Sequence, residues 1–565
     1  MAAMASLLNG ERAVVVVFVT RVVVSLPPSL FCHGLALSLL ALAALSLDVG
    51  ADYFNSFPLF HTRPGVSSGI LLGAVTLPTV MLSKLIQMGR AVSNEIEIEE
   101  FEHLTMQYWA ASACCLGVII LLCMHISYPP SNVHSLILHS TWHAKFSLSC
   151  IVLYTALCCM SLGTISLTGF NTILKLLWMF CHGLAAVKLI QHLFNTFPSC
   201  ASIGEALLVT SGLVLYLGDM LALTIAKSCR LLITEDVVRY GSKRSEIGVI
   251  IQGMLLGLLL FPVVFRFVLQ IWEYFLTKAS SQSRTHNEIW RSLLFFFCLG
   301  FSMIVIIPAW MEFVQDFHMH PLLWVLQFVF SEPVKRLSLC IYWVLVICVS
   351  VVRFYNISKN SKIERILLRK YYHLMAVLMF LPALVFQPKF LDLAFGVALG
   401  VFMALEIVRI WRLWPLGQLV HQFMTAFTDH RDSDILIVSH FSLLLGCALP
   451  IWMSSGYNDR PLVPFAGILS LGIGDTMASM VGHKYGVLRW SKSGKKTIEG
   501  TAAGITSVLA TCSILLPLLA STGYIVTEHW FSLIVAVTVS GLLEAYTTQL
   551  DNAFIPLVFY SLLCL

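Results

Sequence analysis

The stretch that decides the fold and its chemistry runs from residue 472 to residue 504: GIGDTMASMVGHKYGVLRWSKSGKKTIEGTAAG. Apolar runs flank it on both sides, and Asp475 lies among glycines where the first run ends. Glycine backbone and lysine side chains both suit phosphate groups. The stretch therefore predicts a site that handles a phosphate at the surface of a membrane. The basic residues between the two runs are Lys484, Arg489, Lys492, Lys495 and Lys496.

The composition of the whole chain indicates a membrane protein. Of its 565 residues, 58% are hydrophobic and only 12% are charged, and the mean hydropathy is +0.85. Soluble domains carry about 25% charged residues. The net charge of +5 is small, which argues against a nucleic-acid partner. The 16 cysteines lie almost all in apolar runs without a CxxC pair, so we expect neither a zinc site nor a disulfide framework.

Hydropathy predicts a chain that crosses the membrane many times. A spanning helix needs roughly 20 apolar residues, and on that measure the chain has about 15 candidate spans. Irregular backbone cannot face lipid, so the predicted fold is all-α and polytopic. Polar residues concentrate after residue 350. We therefore expect an N-terminal multi-span region at 1–350, with a lipid-binding or scaffold role, and a catalytic membrane domain at 351–565.

The polar clusters of the last third lie at the ends of spans that are separated by even numbers of crossings. An even number returns the chain to its starting face, so the clusters can meet at one interface, and the positive-inside rule makes that face cytosolic. Glu544 and Asp551 are seven positions apart, which puts them on one face if a single helix carries both. The residues expected to converge are His373, Arg409, Asp432, Asp475, Lys496, Glu544 and Asp551.

These residue types suit phosphoryl transfer. That reaction needs the donor phosphates held, their charge neutralised and the acceptor hydroxyl oriented. The backbone of the GKKTIEG string, with Lys495 or Lys496, can hold a triphosphate. Asp475 can hold Mg²⁺, with Glu544, Asp551 or Asp432 as alternatives, and one carboxylate can take the hydroxyl proton.

Plainer roles exist for the same residues. Asp475 can simply cap a helix, and the lysines can form a patch that meets anionic lipid headgroups. The Ser493–Thr497 string also lacks the G-x₄-G-K-[ST] pattern of a soluble P-loop. Residue spacing alone leaves these alternatives open.

Several strings together resemble the dolichol kinase family, colinearly over residues 365–565. They are RKYYHL at 369–374, DHRDSD at 429–434, the stretch at 472–504 and LLEAYTTQLDN at 542–552. The resemblance implies transfer of the terminal phosphate of CTP to dolichol, with a divalent cation such as Mg²⁺. It also implies a multi-pass protein of the endoplasmic reticulum membrane with a cytosolic active face. The product would carry sugars for protein glycosylation.

The family's CTP-binding segment corresponds to residues 483–499. Together with the chemistry above, this gives three expected sets of site residues. The catalytic set is Asp475, Lys496, Glu544 and Asp551. The metal-binding set is Asp475, Asp551 and Asp432. The nucleotide-binding set is Gly474, Gly482, His483, Lys484, Tyr485, Gly486, Gly494, Lys495, Lys496, Thr497 and Glu499.

Three rival functions deserve a test. Phytol kinases and phosphatidate cytidylyltransferases have C-terminal spans that look similar. A transporter places paired charges near the bilayer midplane, often within inverted repeats. In this chain the charges gather at one edge, and no repeat is visible, which favours a lipid kinase. The expected partners are therefore a dolichol or polyprenol substrate and the lipids of the membrane.

Overall fold

The fold is all-α in the part of the chain that is described. The computed structural model describes residues 9–54, 62–63, 66–91, 95–127, 137–164, 169–232, 244–276, 284–360, 365–425, 438–454, 460–490, 496–521 and 529–565. Within these ranges, the only β-type contact is an isolated bridge between Arg489 and Thr497. The predicted fold class is therefore confirmed.

Twenty α-helices lie within the described ranges. The first ten are α1 (Gly10–Val24), α2 (Phe31–Phe54), α3 (Ile70–Ala91), α4 (Glu95–Ser127), α5 (Ile137–Thr164), α6 (Gly169–Thr196), α7 (Ile203–Leu232), α8 (Glu246–Leu276), α9 (Arg284–Phe301) and α10 (Ile307–Val314). The last ten are α11 (Pro321–Ser331), α12 (Pro333–Asn360), α13 (Arg365–Phe386), α14 (Pro388–Trp411), α15 (Gly417–Thr425), α16 (Val438–Met453), α17 (Thr476–Tyr485), α18 (Ile498–Ser521), α19 (Trp530–Tyr546) and α20 (Asp551–Leu563). A π-helical stretch, Ile468–Asp475, leads into α17.

Helix length and composition fit a polytopic membrane protein. In the described residues, ten helices are long and apolar enough to cross a membrane, and six shorter apolar helices accompany them. The two groups bracket the expected number of about 15 spans. The predicted span at 462–482 is not one regular α-helix, because it contains a 3₁₀ turn, the π-helical stretch and the first residues of α17.

The chain forms two compact units, each assembled from separate stretches of sequence. Unit 1 comprises Met1–Asp219, Phe354–Leu378 and Leu449–Leu565, and unit 2 comprises Met220–Arg353 and Met379–Ala448. The start and the end of the chain thus belong to the same unit. The functional division expected near residue 350 stays a prediction.

Unit 1 has the last helix of the chain in its core. Residues 554–563 of α20 are buried all round, as expected for a helix that is apolar on every side. α20 packs against α3, where the hydroxyl groups of Ser83 and Ser561 lie 2.6 Å apart. The guanidinium of Arg90 donates to the backbone carbonyls of Cys564 and Leu565. α3 therefore anchors the C-terminal helix both along its length and at its end.

Unit 2 is held together by aromatic packing around α8, α9 and α14. Phe261, Phe265 and Phe295 are buried against one another, with ring centroids 5.1–5.6 Å apart. On α14, the guanidinium of Arg409 makes a buried ion pair with Glu406 at 2.6 Å. Arg409 is one of the residues predicted to converge on the site. Within unit 2, its charge is balanced by that of Glu406, one helical turn away.

Candidate active site

Five segments of unit 1 bring charged side chains together. The first turns of α13 supply Lys370 and His373, and the π-helical stretch ends at Asp475. Lys496 lies just before α18, Glu544 lies in the last turn of α19, and Asp551 begins α20. Helix ends, rather than helix middles, thus carry most of the ionisable groups.

Asp475 is held by a neighbour that the sequence argument did not select. Asp475 is 2% exposed, and its carboxylate accepts a hydrogen bond from the ammonium of Lys370. It occupies the N-cap position of α17 but makes no capping hydrogen bond. The plain helix-cap role is therefore wrong for this aspartate. Its carboxylate is instead half of a buried ion pair.

His373 completes this arrangement. Its Nδ1 atom lies 3.1 Å from Oδ2 of Asp475 and 3.2 Å from the carbonyl oxygen of Leu471. Both oxygens can only accept a hydrogen bond, so Nδ1 must carry the proton. The histidine thereby ties the π-helical stretch to α13. Gly472 permits the approach, because a Cβ atom there would collide with the side chain of Val377.

Lys496 closes the end of α19. Its ammonium donates to the backbone carbonyl of Glu544, one of the last carbonyls of that helix. Cations are favoured at helix C-termini, where the carbonyl groups carry partial negative charge. The contact also brings the lysine beside the Glu544 side chain, with which it interacts electrostatically. The Lys496 ammonium thus binds the end of α19 with one N–H group and can donate further hydrogen bonds with the others.

Glu544 and Asp551 lie on different helices. The expectation that they share one helical face is wrong, because α19 ends at Tyr546 and a four-residue link precedes α20. They still share a neighbour, because Lys370 interacts electrostatically with both of them and with Asp475. Three carboxylates are therefore grouped around two ammonium groups.

The predicted nucleotide segment begins with exposed side chains. His483, Lys484 and Tyr485 are exposed at the end of α17, and the ammonium of Lys484 lies 5.0 Å from the centre of the Tyr485 ring. Exposed aromatic and cationic groups at this position are available to a ligand. Their contact with a nucleotide stays a prediction.

Backbone hydrogen bonds join the described residues on either side of residues 491–495. The amide of Ile498 donates to the carbonyl of Leu488 at 2.8 Å, and the amide of Trp490 donates to that of Lys496 at 3.3 Å. Both carboxylate oxygens of Glu499 accept from the amide of Leu488, at 2.9 and 3.2 Å. Glu499 therefore holds the backbone at Leu488, and a direct contact with nucleotide stays a prediction.

Several of the predicted glycines and Thr497 lie at helix contacts. A Cβ atom on Gly482 would lie 2.9 Å from the hydroxyl of Thr497, and one on Gly474 would lie 3.2 Å from Val508. Gly486 likewise faces Thr497. These residues explain how α17 and the π-helical stretch approach α18, and their nucleotide-binding role stays a prediction. Gly494, Lys495 and Asp432 lie outside the described residues.

The donor chemistry of the site suits a hard divalent cation. In the described ranges, no group of three or more His, Cys, Asp and Glu side chains could hold a metal ion alone. Mg²⁺ usually takes one or two protein carboxylates and completes its shell with water and substrate phosphates. Asp475 and Asp551, two of the predicted metal-binding residues, fit that smaller requirement.

Lys370 is a residue of this site that was not predicted from the sequence, although it lies in the RKYYHL string at 369–374. Lys370 and His373 are three positions apart on α13, a spacing that puts both on one helical face. That spacing was the only sign in the sequence that the two residues act together. Their role depends on Asp475, which contacts both of them in the folded chain.

The comparisons with known proteins agree with the strings quoted above. A family model described as "Dolichol kinase" matches residues 164–516. The chain is 66% identical to "Dolichol kinase EVAN" of Arabidopsis thaliana, over 99% of each chain. It is 33% identical to "Dolichol kinase" of Homo sapiens, over 67% of each chain. No solved structure matches it. Because the family model covers more than half of the chain and the plant relative nearly all of it, the chain belongs to the dolichol kinase family.

Proposed function

We propose that this chain transfers the terminal phosphate of CTP to the hydroxyl group of dolichol, giving dolichyl phosphate and CDP. We further propose that it does so at the cytosolic face of the endoplasmic reticulum membrane and thereby supplies the lipid carrier for protein glycosylation. The acceptor is named by the relatives. The observation that carries the proposal is the meeting of Lys370, Asp475 and Glu544 within unit 1.

The donor phosphates would lie against the ammonium groups. Lys496 uses one of its three N–H donors on the carbonyl of Glu544, so the remaining donors can reach phosphate oxygens. Lys370 lies among all three carboxylates and screens their negative charge from the incoming nucleotide. In phosphoryl transfer such positioning and charge neutralisation do most of the work.

Glu544 is our candidate for the general base. In the described part of the chain, its carboxylate makes no hydrogen bond, whereas Oδ2 of Asp475 is engaged by both Lys370 and His373. An oxygen–phosphorus bond forms between the dolichol oxygen and the terminal phosphorus of CTP, and the bond to the bridging oxygen of CDP breaks. The hydroxyl proton passes to Glu544.

The remaining carboxylates would hold the cation. Asp551, with Asp475, would bind Mg²⁺ together with the phosphates of CTP, and Asp432 stays a further candidate. When bound there, Mg²⁺ neutralises negative charge on the phosphates that the three carboxylates would otherwise repel. Because Lys370 and His373 both contact Asp475, its carboxylate oxygens are held in a fixed position for the cation.

The test is an assay of the purified protein in micelles with labelled CTP or ATP and several polyprenols. The proposal expects CTP-dependent formation of a phosphorylated polyprenol with release of CDP. Release of pyrophosphate would instead identify a cytidylyltransferase, and preference for phytol would identify a phytol kinase. Uptake into proteoliposomes without nucleotide turnover would identify a transporter.

The membrane face can be tested separately. The sequence Asn356-Ile-Ser358 is a glycosylation sequon near the end of α12. The proposed orientation keeps this sequon in the cytosol, away from the glycosylation machinery. A sugar found on Asn356 would reverse the orientation of the site.

A further inference from the structure

The link between α19 and α20, residues 547–550, sets the positions of two carboxylates. Glu544 lies in the last turn before it, and Asp551 follows it directly. The link itself lies outside both helices, so its conformation depends on contacts with other parts of unit 1. Those contacts come from two segments, one around Ser67 and one around Glu205.

Glu205, at the beginning of α7, holds the end of the link. One oxygen of its carboxylate accepts from the backbone amide of Leu550 at 2.7 Å and from the guanidinium of Arg63 at 2.7 Å. Its other oxygen accepts from the amide of Ser202 at 2.9 Å. The residue is 2% exposed. Both of its oxygens are thus occupied, and one of them fixes the residue immediately before Asp551.

Gln549 holds the middle of the link through its side chain. Its amide nitrogen donates to the backbone carbonyl and the hydroxyl of Ser67, both at 2.9 Å, and its oxygen accepts from the hydroxyl of Ser202. The amide of Ser67 donates in turn to the hydroxyl of Thr548 at 3.1 Å. Gln549 is 2% exposed. The link is therefore bound from two separate segments of the N-terminal region.

The approach of these segments depends on a glycine. Gly69 has a φ of +62°, in the left-handed region that side chains disfavour. A Cβ atom there would lie 2.6 Å from the amide group of Gln549. The backbone can therefore come close to Gln549 only because this residue has no side chain.

We propose that Glu205 and Gln549 are positioning residues for the carboxylates of the kinase site. Buried polar networks with all partners satisfied rigidify the segments they join. A displacement of about 1 Å at a catalytic group can cost on the order of 10² in rate. The inference rests on the proposed function, because it assigns the catalytic purpose of the network to Glu544 and Asp551. It gives the N-terminal region a scaffold role in the chemistry.

Two isosteric variants test the proposal. Glu205→Gln replaces one acceptor of the carboxylate by a donor, and Gln549→Glu replaces the donor that faces Ser67 by an acceptor. The control is Asp219→Asn, which makes the same carboxylate-to-amide change on α7 at a buried pair with His103, 3.0 Å away. Asp219 lies 14 positions further along α7 than Glu205, about 21 Å along the helix axis. All three variants should be extracted as folded protein in similar yield.

Two measurements are made on each variant. Hydrogen exchange should be faster in the peptide containing residues 547–550 for Glu205→Gln and Gln549→Glu, but not for Asp219→Asn. Those two variants should also lose at least tenfold in kcat, with the KM for CTP changed less than threefold. In an Asp551→Asn background, Glu205→Gln should cause little further loss, because residues that act through one group are not additive.

Three results would overturn the positioning role. They are unchanged exchange in the link, a loss no greater than that of Asp219→Asn, or a loss that is undiminished in the Asp551→Asn background. Absence of wild-type activity with CTP and dolichol would overturn the proposed function and this catalytic role with it. The exchange data would then still decide whether Glu205 holds the link.

Discussion

The ammonium of Lys370 donates a hydrogen bond to the carboxylate of Asp475, across 105 positions of sequence. The side chains are 13% and 3% exposed, so both charges are largely withdrawn from solvent. A buried pair of this kind gives little net stability, but losing one partner leaves the other charge uncompensated. The pair is therefore better suited to holding a carboxylate in place than to strengthening the fold.

Removing the cation should damage both stability and activity. We expect Lys370→Met to lower the free energy of unfolding by about 3–5 kcal/mol, because Asp475 loses its buried partner. The double variant Lys370→Met/Asp475→Asn should recover most of that stability but stay inactive. Thermal unfolding in micelles and a phosphorylation assay separate the two effects. An active double variant would remove the pair from the chemistry.

Removing only the negative charge should be milder for the fold. Asp475→Asn keeps an oxygen that accepts from Lys370, and Lys370 keeps Glu544 and Asp551 as electrostatic partners. We expect the variant to accumulate in the membrane as folded protein with no measurable phosphorylation. If Asp475→Asn turned over at the wild-type rate, the aspartate would be neither a metal ligand nor a base.

Lys496 should matter more for turnover than for folding. We expect Lys496→Ala to reduce turnover by ~10²–10³, comparable to the loss of one group that stabilises charge in a transition state. The loss of its contact with the Glu544 carbonyl should cost under about 1 kcal/mol in stability. Lys389→Ala, an exposed lysine at the start of α14, is the control and should behave as wild type. Equal rates for the two variants would contradict the prediction.

Glu499 should affect nucleotide affinity indirectly. Its carboxylate accepts a hydrogen bond from the Leu488 amide, within the predicted nucleotide-binding segment. Glu499→Gln keeps one acceptor and loses the negative charge, so the backbone at Leu488 should be less firmly held. We expect the KM for CTP to rise by several fold with kcat changed less than twofold, measured by initial rates. A collapse of kcat at unchanged KM would instead indicate a role in the chemical step.

Close packing between α17 and α18 can be tested with alanine. A Cβ atom on Gly500 would lie 2.5 Å from the carbonyl oxygen of Ala478, so Gly500→Ala should destabilise by about 1–3 kcal/mol. A Cβ atom on Gly212, within α7, would have no other atom within 4 Å. Gly212→Ala should stabilise by about 0.5–1 kcal/mol, because alanine favours helix. Thermal unfolding of both variants should therefore shift in opposite directions.

The class of the protein and the convergence of its charges were accessible from sequence. Low charge content predicted the all-α membrane fold, and the parity of crossings predicted that Asp475, Lys496 and Glu544 would approach one another. The expectation that Glu544 and Asp551 share one helical face was wrong, because they lie on two helices. The link between them contains neither glycine nor proline, so no local signal marks the end of α19.

The partners of the charged residues were not accessible. Hydropathy and residue spacing describe each segment by itself, so they could not show that Lys370 pairs with Asp475 or that Glu205 binds the Leu550 amide. The glycines were also open to two interpretations. A glycine suits a phosphate and a helix contact equally well, and Gly482 lies at a helix contact with Thr497.

The grouping of both ends of the chain in unit 1 has a consequence for biosynthesis. Glu205 and the Leu550 amide are 345 positions apart, and at about 5–20 residues per second a ribosome needs roughly 17–70 s to cover that distance. During this time the early helices must remain in the bilayer without their final partner. Arg63 and Glu205 are both synthesised early. Their ion pair can compensate the negative charge of the Glu205 carboxylate during that interval. Chains released before the last helix would therefore never acquire a complete site.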